Sequence, residues 1–213
     1  MPDVKHLVRT VVILLVIATG VYLFLYHRSK AVSGASSCAE QHVRIAAFGD
    51  SLVYGYGATE GRDFPAQLSA KLGVPVQNLG RNGDTTALAL ERISQVLNTR
   101  PDVVIVLLGG NDALQRVPVA TTKQNLEAII ERLQKANIRV VLAAVPGGFA
   151  SDPYKPMFED LAKIHSVKLV PNILSGIITN KSLMSDQVHP NDSGYAKVAT
   201  KLVPAIESVC AQK

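Results

Sequence analysis

Apolar residues fall along this chain in two rhythms. Short apolar runs at Val43–Phe48, Val74–Asn78, Val103–Leu108, Ile138–Val145 and Val167–Val170 read as strands, several of them apolar throughout, as strands buried on both faces are. Between them, apolar residues recur every three or four positions, as on one face of a helix. Leu90, Ile93, Val96 and Leu97 form one such face, and Leu126, Ile129, Ile130 and Leu133 another. A last helix aligns Tyr195, Val198, Ala199, Leu202, Ile206 and Cys210, with a kink expected at Pro204. Five strands alternating with helices predict an α/β domain with a flavodoxin-like, doubly wound, five-stranded parallel sheet and helices on both faces. With strand order 2-1-3-4-5, the loops after the first three strands share one crevice. Ligands in such sheets sit beyond the carboxyl ends of the strands, where the order reverses.

A third pattern precedes these. Thr10–Tyr26, TVVILLVIATGVYLFLY, holds 17 uncharged residues, enough for a helix of roughly 25 Å. Residues 1–27 read as a membrane anchor preceding the domain as an N-terminal apolar helix; a cleaved signal peptide, with SGA at Ser33–Ala35 as a passable cleavage site, is the competing reading. Lys5 and Arg9 precede the segment and Arg28 and Lys30 follow it, so the flanking charges do not set its orientation. The residue pair before Cys38 is Ser-Ser, without the apolar residue of a lipoprotein signal. Residues 28–41, rich in Ser, Ala and Gly, read as a linker, and 42–213 as the folded domain. The short N-terminal tail and the cysteines favour a domain outside the cytoplasm, either anchored in the inner membrane and facing the periplasm or secreted after cleavage.

The 213 residues carry a net charge of +5. Residues 1–38 account for +3 of it (four basic, one acidic), and the remainder holds 18 basic and 16 acidic side chains. No basic stripe is left to follow a phosphate backbone, so nucleic acid is not an expected partner. A monomer held at the membrane by its N-terminal helix is expected. Cys38 and Cys210 form no Cys-x-x-Cys pair, and the five histidines are scattered without ligand spacing, so no metal is expected. The two cysteines are either a surface and a buried thiol or, in an exported domain, a disulfide joining the entrance of the first strand to the last helix.

Four loops carry the candidate chemistry. The first strand ends in Gly49-Asp50-Ser51, the second in Asn78–Thr86 (NLGRNGDTT), and the third in Gly109-Gly110-Asn111-Asp112; Ser185–Tyr195 (SDQVHPNDSGY) precedes the last helix. A serine hydroxyl needs a base within hydrogen-bond reach to become a nucleophile. His6 and His27 flank the anchor, His42 begins the first strand, and His165 sits at helical spacing from Phe158, Leu161 and Ala162 as the cap of an apolar face. His189 lies in a loop with Asp186 three residues before it, close enough to orient one ring nitrogen and leave the other for Ser51. The N–H groups of Ser51 and Gly83 and the Asn111 amide can supply three donors to one developing oxyanion. Asp50, Asp84 and Asp112 read as loop braces. GYGATEG breaks the Gly-x-Gly-x-x-Gly pattern at Glu60, and neither a Gly-x-Ser-x-Gly elbow nor a Walker lysine is present.

These blocks, in this order, resemble the SGNH or GDSL hydrolases, most closely the bacterial periplasmic thioesterase/lysophospholipase and arylesterase branch. The similarity spans residues 43–207, through FGDSL, NGDTT, GGND and DQVHPN. Asn82 stands where a serine is frequent, and Phe64-Pro65 where many members carry a tryptophan or other aromatic. The resemblance implies a cofactor-free serine esterase with Ser51 as nucleophile, Asp186 and His189 completing the triad, and Ser51, Gly83 and Asn111 as oxyanion donors. It favours aryl esters, thioesters or lysophospholipids as substrates. Ala113, Leu114, Pro146, Gly147 and Phe149 are expected to line the acyl side of the crevice. O-deacetylation of an envelope polysaccharide is the alternative activity, and a non-catalytic envelope binding module the alternative of another class.

Overall fold

The computed structural model describes residues 19–20, 37–148 and 152–211. The chain divides into two compact units, Met1–Ala35 and Ser36–Lys213. Of the first, only Thr19 and Gly20 are described, both helical. The anchor expected over residues 1–27 otherwise lies outside the described residues, as do residues 28–36 of the expected linker. Among the described residues no helix is long and apolar enough to cross a membrane.

The second unit is built on β1 (Ile45–Gly49), β2 (Val76–Gly80), β3 (Val103–Leu107), β4 (Arg139–Ala143) and β5 (Lys168–Val170), all parallel, in the order β2-β1-β3-β4-β5. Burial follows position in the sheet. Every residue of the central strands β1 and β3 is buried, whereas the edge strand β2 buries Val76 and exposes Gln77 and Asn78. β2 and β1 each run one or two residues further than the apolar runs indicate, ending on Gly80 and Gly49. Both glycines sit where neighbouring backbone leaves no room for a side chain: an added Cβ would lie 2.0 Å from Leu107 O at Gly49 and 2.0 Å from Tyr54 N at Gly80.

The helix Val119–Lys135 buries Leu126, Ile129, Ile130 and Leu133, as its periodicity indicates. The last helix, Asp192–Cys210, runs through Pro204 as one element and buries Tyr195, Val198, Ala199, Leu202, Ile206 and Cys210. Its N-cap is Asn191, whose side chain accepts from Gly194 N–H and donates to Ser182 O, 3.0 Å away. The face of Leu90, Ile93, Val96 and Leu97 is divided between two helices, Thr86–Glu91 and Ile93–Thr99. The break falls at Arg92, whose side chain turns inward beneath the sheet's carboxyl edge. Ser37–Glu40, at the end of the stretch read as linker, form a helical turn. Cys38 is buried there and disulfide-bonded to Cys210, with Cα atoms 5.1 Å apart. The last helix therefore packs against the segment that leads into β1.

Candidate active site

Strand order places the ends of β1, β2 and β3 side by side, because β1 pairs with both neighbours in register up to Gly49, Gly80 and Leu107. Each strand end then turns differently. After β1, Asp50 caps the short helix Ser51–Tyr54 by accepting from Leu52 N–H at 2.9 Å. Ser51 is the first residue of that helix, so its own N–H has no intrahelical acceptor. After β2, the chain reaches Gly83, whose φ of 82° is a left-handed conformation that glycine adopts without strain. An added Cβ there would meet no protein atom within 4 Å, so Gly83 borders open space. It precedes the N-cap Thr85 by two residues, in the turn rather than in the helix itself. After β3, Gly110–Leu114 form a short helix carrying Asn111.

The fourth loop is closed on itself. Met184 and Pro190 form an isolated antiparallel bridge, and Ser185 N–H donates to His189 O at 2.9 Å. Inside this loop Asp186 Oδ1 accepts from the N–H groups of Val188 and His189 at 2.8 and 2.7 Å. Its Oδ2 lies 2.7 Å from His189 Nδ1, and His189 Nε2 lies 2.9 Å from Ser51 Oγ. A proton on Nδ1, facing the carboxylate, leaves Nε2 to accept from the Ser51 hydroxyl. Burial pushes the Asp186 carboxyl up, but the donors Val188 N–H and His189 outweigh it and hold the group below its ordinary range. The loop has to sit close to Gly57, where a Cβ would lie 2.0 Å from Ser185 Oγ and φ is 87°. Tyr56, half exposed, packs its ring 4.5 Å from the His189 ring. Its carbonyl accepts from the Tyr195 hydroxyl at 2.9 Å, which ties the aromatic to the last helix.

The three loop aspartates brace the site. Asp112 accepts from both the N–H and the hydroxyl of Thr86, 2.8 and 2.5 Å away, joining the β3 loop to the β2 loop. Asp84 is paired with Arg92, and its carbonyl accepts from Asn111 Nδ2 at 2.9 Å. Asn111 has a second amide hydrogen for another acceptor. Asp50 is buried, near the negative charges of Asp84 and Asp112. Burial first, then those charges, push it up to about 7 against the pull of Leu52 N–H. His165, expected to cap an apolar face, ends the helix Tyr154–Ile164 and pairs with Glu127 at 3.2 Å. No group of His, Cys, Asp and Glu among the described residues is arranged to hold a metal ion.

Ser51 and His189 open onto a cavity of about 280 Å³. Ala113, Leu114, Pro146 and Gly147 line it; Phe149, expected beside them, lies outside the described residues. Four apolar residues not anticipated from the sequence also line it: Leu52, Leu174, Ile178 and Val188. Leu174 and Ile178 are spaced four apart in a stretch with neither strand nor helix character, and that spacing was the only signal available. Arg92, which does not line the cavity, belongs to no motif in the sequence. Its spacing from Ala89 and Val96 puts a cation on an apolar helical face, and that was its signal.

Fold and geometry together define a doubly wound α/β protein with a serine, an imidazole and a carboxylate in line beside an apolar cleft. A model of the GDSL-like lipase/acylhydrolase family matches residues 47–197. An arylesterase of Vibrio mimicus is 31% identical over 180 residues, 79% of this chain and 88% of that protein. The thioesterase 1/protease 1/lysophospholipase L1 of Escherichia coli strain K12 is 30% identical over 160 residues, 71% of this chain and 77% of that one. Among solved structures, AlinE4, an SGNH-hydrolase family esterase, is 34% identical with a TM-score of 0.62, over 78% of this chain and 95% of its own. The chain belongs to the GDSL-like lipase/acylhydrolase family and is a hydrolase acting on ester bonds.

Proposed function

We propose that the protein is a serine esterase that cleaves acyl esters, of the aryl ester, thioester or lysophospholipid type, through an acyl-enzyme. The observation that carries this reading is the alignment of Ser51 Oγ, His189 and Asp186 at 2.9 and 2.7 Å, at the mouth of an apolar cavity. In the first step His189 Nε2 takes the Ser51 proton as Oγ attacks the acyl carbonyl, and Asp186 stabilises the resulting imidazolium. The carbonyl oxygen becomes negative and is held by the N–H groups of Ser51 and Gly83 and by the free hydrogen of the Asn111 amide. His189 then protonates the leaving alcohol or thiol, and the acyl group stays on Ser51. Water, activated by the same nitrogen, releases the acid and restores the serine.

Leu114, Leu174 and Ile178 are apolar and offer a sugar nothing to hydrogen-bond, which favours an apolar acyl chain over a sugar in the cavity. An exported or membrane-tethered enzyme is the accompanying proposal. Thr10–Tyr26 would serve as anchor, and the Cys38–Cys210 bond suits an oxidising compartment. Hydrolysis of p-nitrophenyl esters by Ser51→Ala and His189→Ala tests the chemistry. Each is expected to lose at least about 10³-fold in kcat with its circular dichroism unchanged. Activity retained by purified Ser51→Ala refutes the mechanism.

A further inference from the structure

Arg92 belongs to none of the four loops, yet it touches two of them. It is the hinge between Thr86–Glu91 and Ile93–Thr99, and its side chain is only 7% exposed. Each guanidinium nitrogen has an acceptor of its own. Nε donates to Asp84 Oδ2, Nη1 to Leu79 O at 3.0 Å and Nη2 to Gly49 O at 2.9 Å. The guanidinium also lies 4.5 Å over the Phe48 ring. Arg81 stands at the rim of the same carboxylate, 3.7 Å from Asp84 Oδ1, but is largely exposed.

Packing alone does not call for a charge at this position. Apolar residues of similar volume commonly replace a buried ion pair without loss of stability, because they avoid the desolvation of both ions. The acceptors suggest what the charge does instead. Gly49 lies two residues before Ser51, Asp84 follows Gly83 directly, and Asp84 O holds the Asn111 amide at 2.9 Å. One rigid fork is therefore bonded to the backbone just before the nucleophile and to the residue that links Gly83 with Asn111. We propose that Arg92 is a positioning residue of the oxyanion hole, setting the relative placement of the Ser51 N–H, the Gly83 N–H and the Asn111 amide through its bonds to Gly49 and Asp84.

This role rests on the oxyanion-hole reading above. It matters because a misplacement of about 1 Å among groups that act together in the transition state can cost about 10²-fold in rate. Lysine keeps the charge but presents a single ammonium, which does not match three acceptors spread around a planar fork. Arg92→Lys thus separates charge from geometry.

The test is steady-state hydrolysis of p-nitrophenyl butyrate by Arg92→Lys, Arg92→Gln, Asn111→Ala, the Arg92→Lys/Asn111→Ala double variant and Ser51→Ala, each checked by circular dichroism. Arg92→Lys is expected to lower kcat about 10- to 100-fold with KM within about twofold, because the hole acts only as charge develops. Its affinity for a trifluoromethyl ketone, which forms a tetrahedral oxyanion on the serine, should fall by the same factor as kcat/KM. Once Asn111 is removed, adding Arg92→Lys should cost less than it does in the wild type, since residues acting as a unit are not additive. Unchanged kcat, a loss carried by KM, or fully multiplicative losses in the double variant overturn the proposal. Failure of both Arg92 variants to fold also overturns it, by assigning Arg92 to the fold alone. Ser51→Ala keeps the two readings apart. An active Ser51→Ala refutes the serine mechanism, whereas an inactive Ser51→Ala beside a fully active Arg92→Lys refutes only the role of Arg92.

Discussion

Asp50→Asn is a direct test of the electrostatics around the nucleophile. Asp50 is 2% exposed, directly precedes Ser51, and shares its surroundings with the carboxylates of Asp84 and Asp112. Its ordinary value of 3.8 is raised to about 7, chiefly by burial. Between those two pH values the folded protein retains a proton that the unfolded chain has released. Stability present at low pH is therefore lost as the pH rises through this window, and the loss levels off above about 7. At 1.36 kcal/mol per pH unit, the full interval corresponds to about 4 kcal/mol. Asparagine keeps an oxygen to accept from Leu52 N–H and does not titrate, so any cost of its amide group is the same at every pH. Urea unfolding of both proteins between pH 4.5 and 8 isolates the effect, because titrations independent of Asp50 cancel in the difference. The variant is expected to gain on the wild type by about 2–4 kcal/mol across that range, most of it before pH 7. A difference that stays constant with pH, or shrinks as pH rises, refutes the reasoning.

Other consequences are as open to measurement. Asn111→Ala should lower kcat by about 10²–10³ with KM nearly unchanged, and a change confined to KM would make Asn111 a ground-state contact instead. The Cys38–Cys210 bond closes a separation of 172 residues, for which the chain-entropy model allows about 5 kcal/mol. The Cys38→Ala/Cys210→Ala double variant is thus expected to lose about 2–5 kcal/mol in urea unfolding, and undiminished stability contradicts this. Ile178→Trp should narrow the acyl cavity and shift kcat/KM from octanoyl towards acetyl aryl esters by at least about tenfold. Equal losses for all chain lengths would place Ile178 outside the acyl path.

The succession of strands and helices is written in the local pattern of the amino-acid sequence, because burial on both faces demands apolar runs and burial on one face demands a helical period. The sequence also marked the residues of the candidate site, since Gly-Asp-Ser, Gly-Gly-Asn-Asp and Asp-x-x-His are local patterns at the ends of local elements. What it left unmarked depends on contacts between distant residues of ordinary type. Ser51 and His189 are 138 positions apart, and only the packing of the last helix brings Nε2 to 2.9 Å from Oγ. The helix break at Arg92 is set by acceptors on two strand ends, one of them 43 residues away, which outweigh the helical period of its neighbours. Leu174 and Ile178 become cavity walls because the turn after β5 folds back beside Ser51, and nothing in their own neighbourhood along the chain records that direction. Local sequence sets which conformations a segment prefers. The tertiary fold alone decides which distant groups meet, because the free energy that fixes those meetings is spread over the whole buried core.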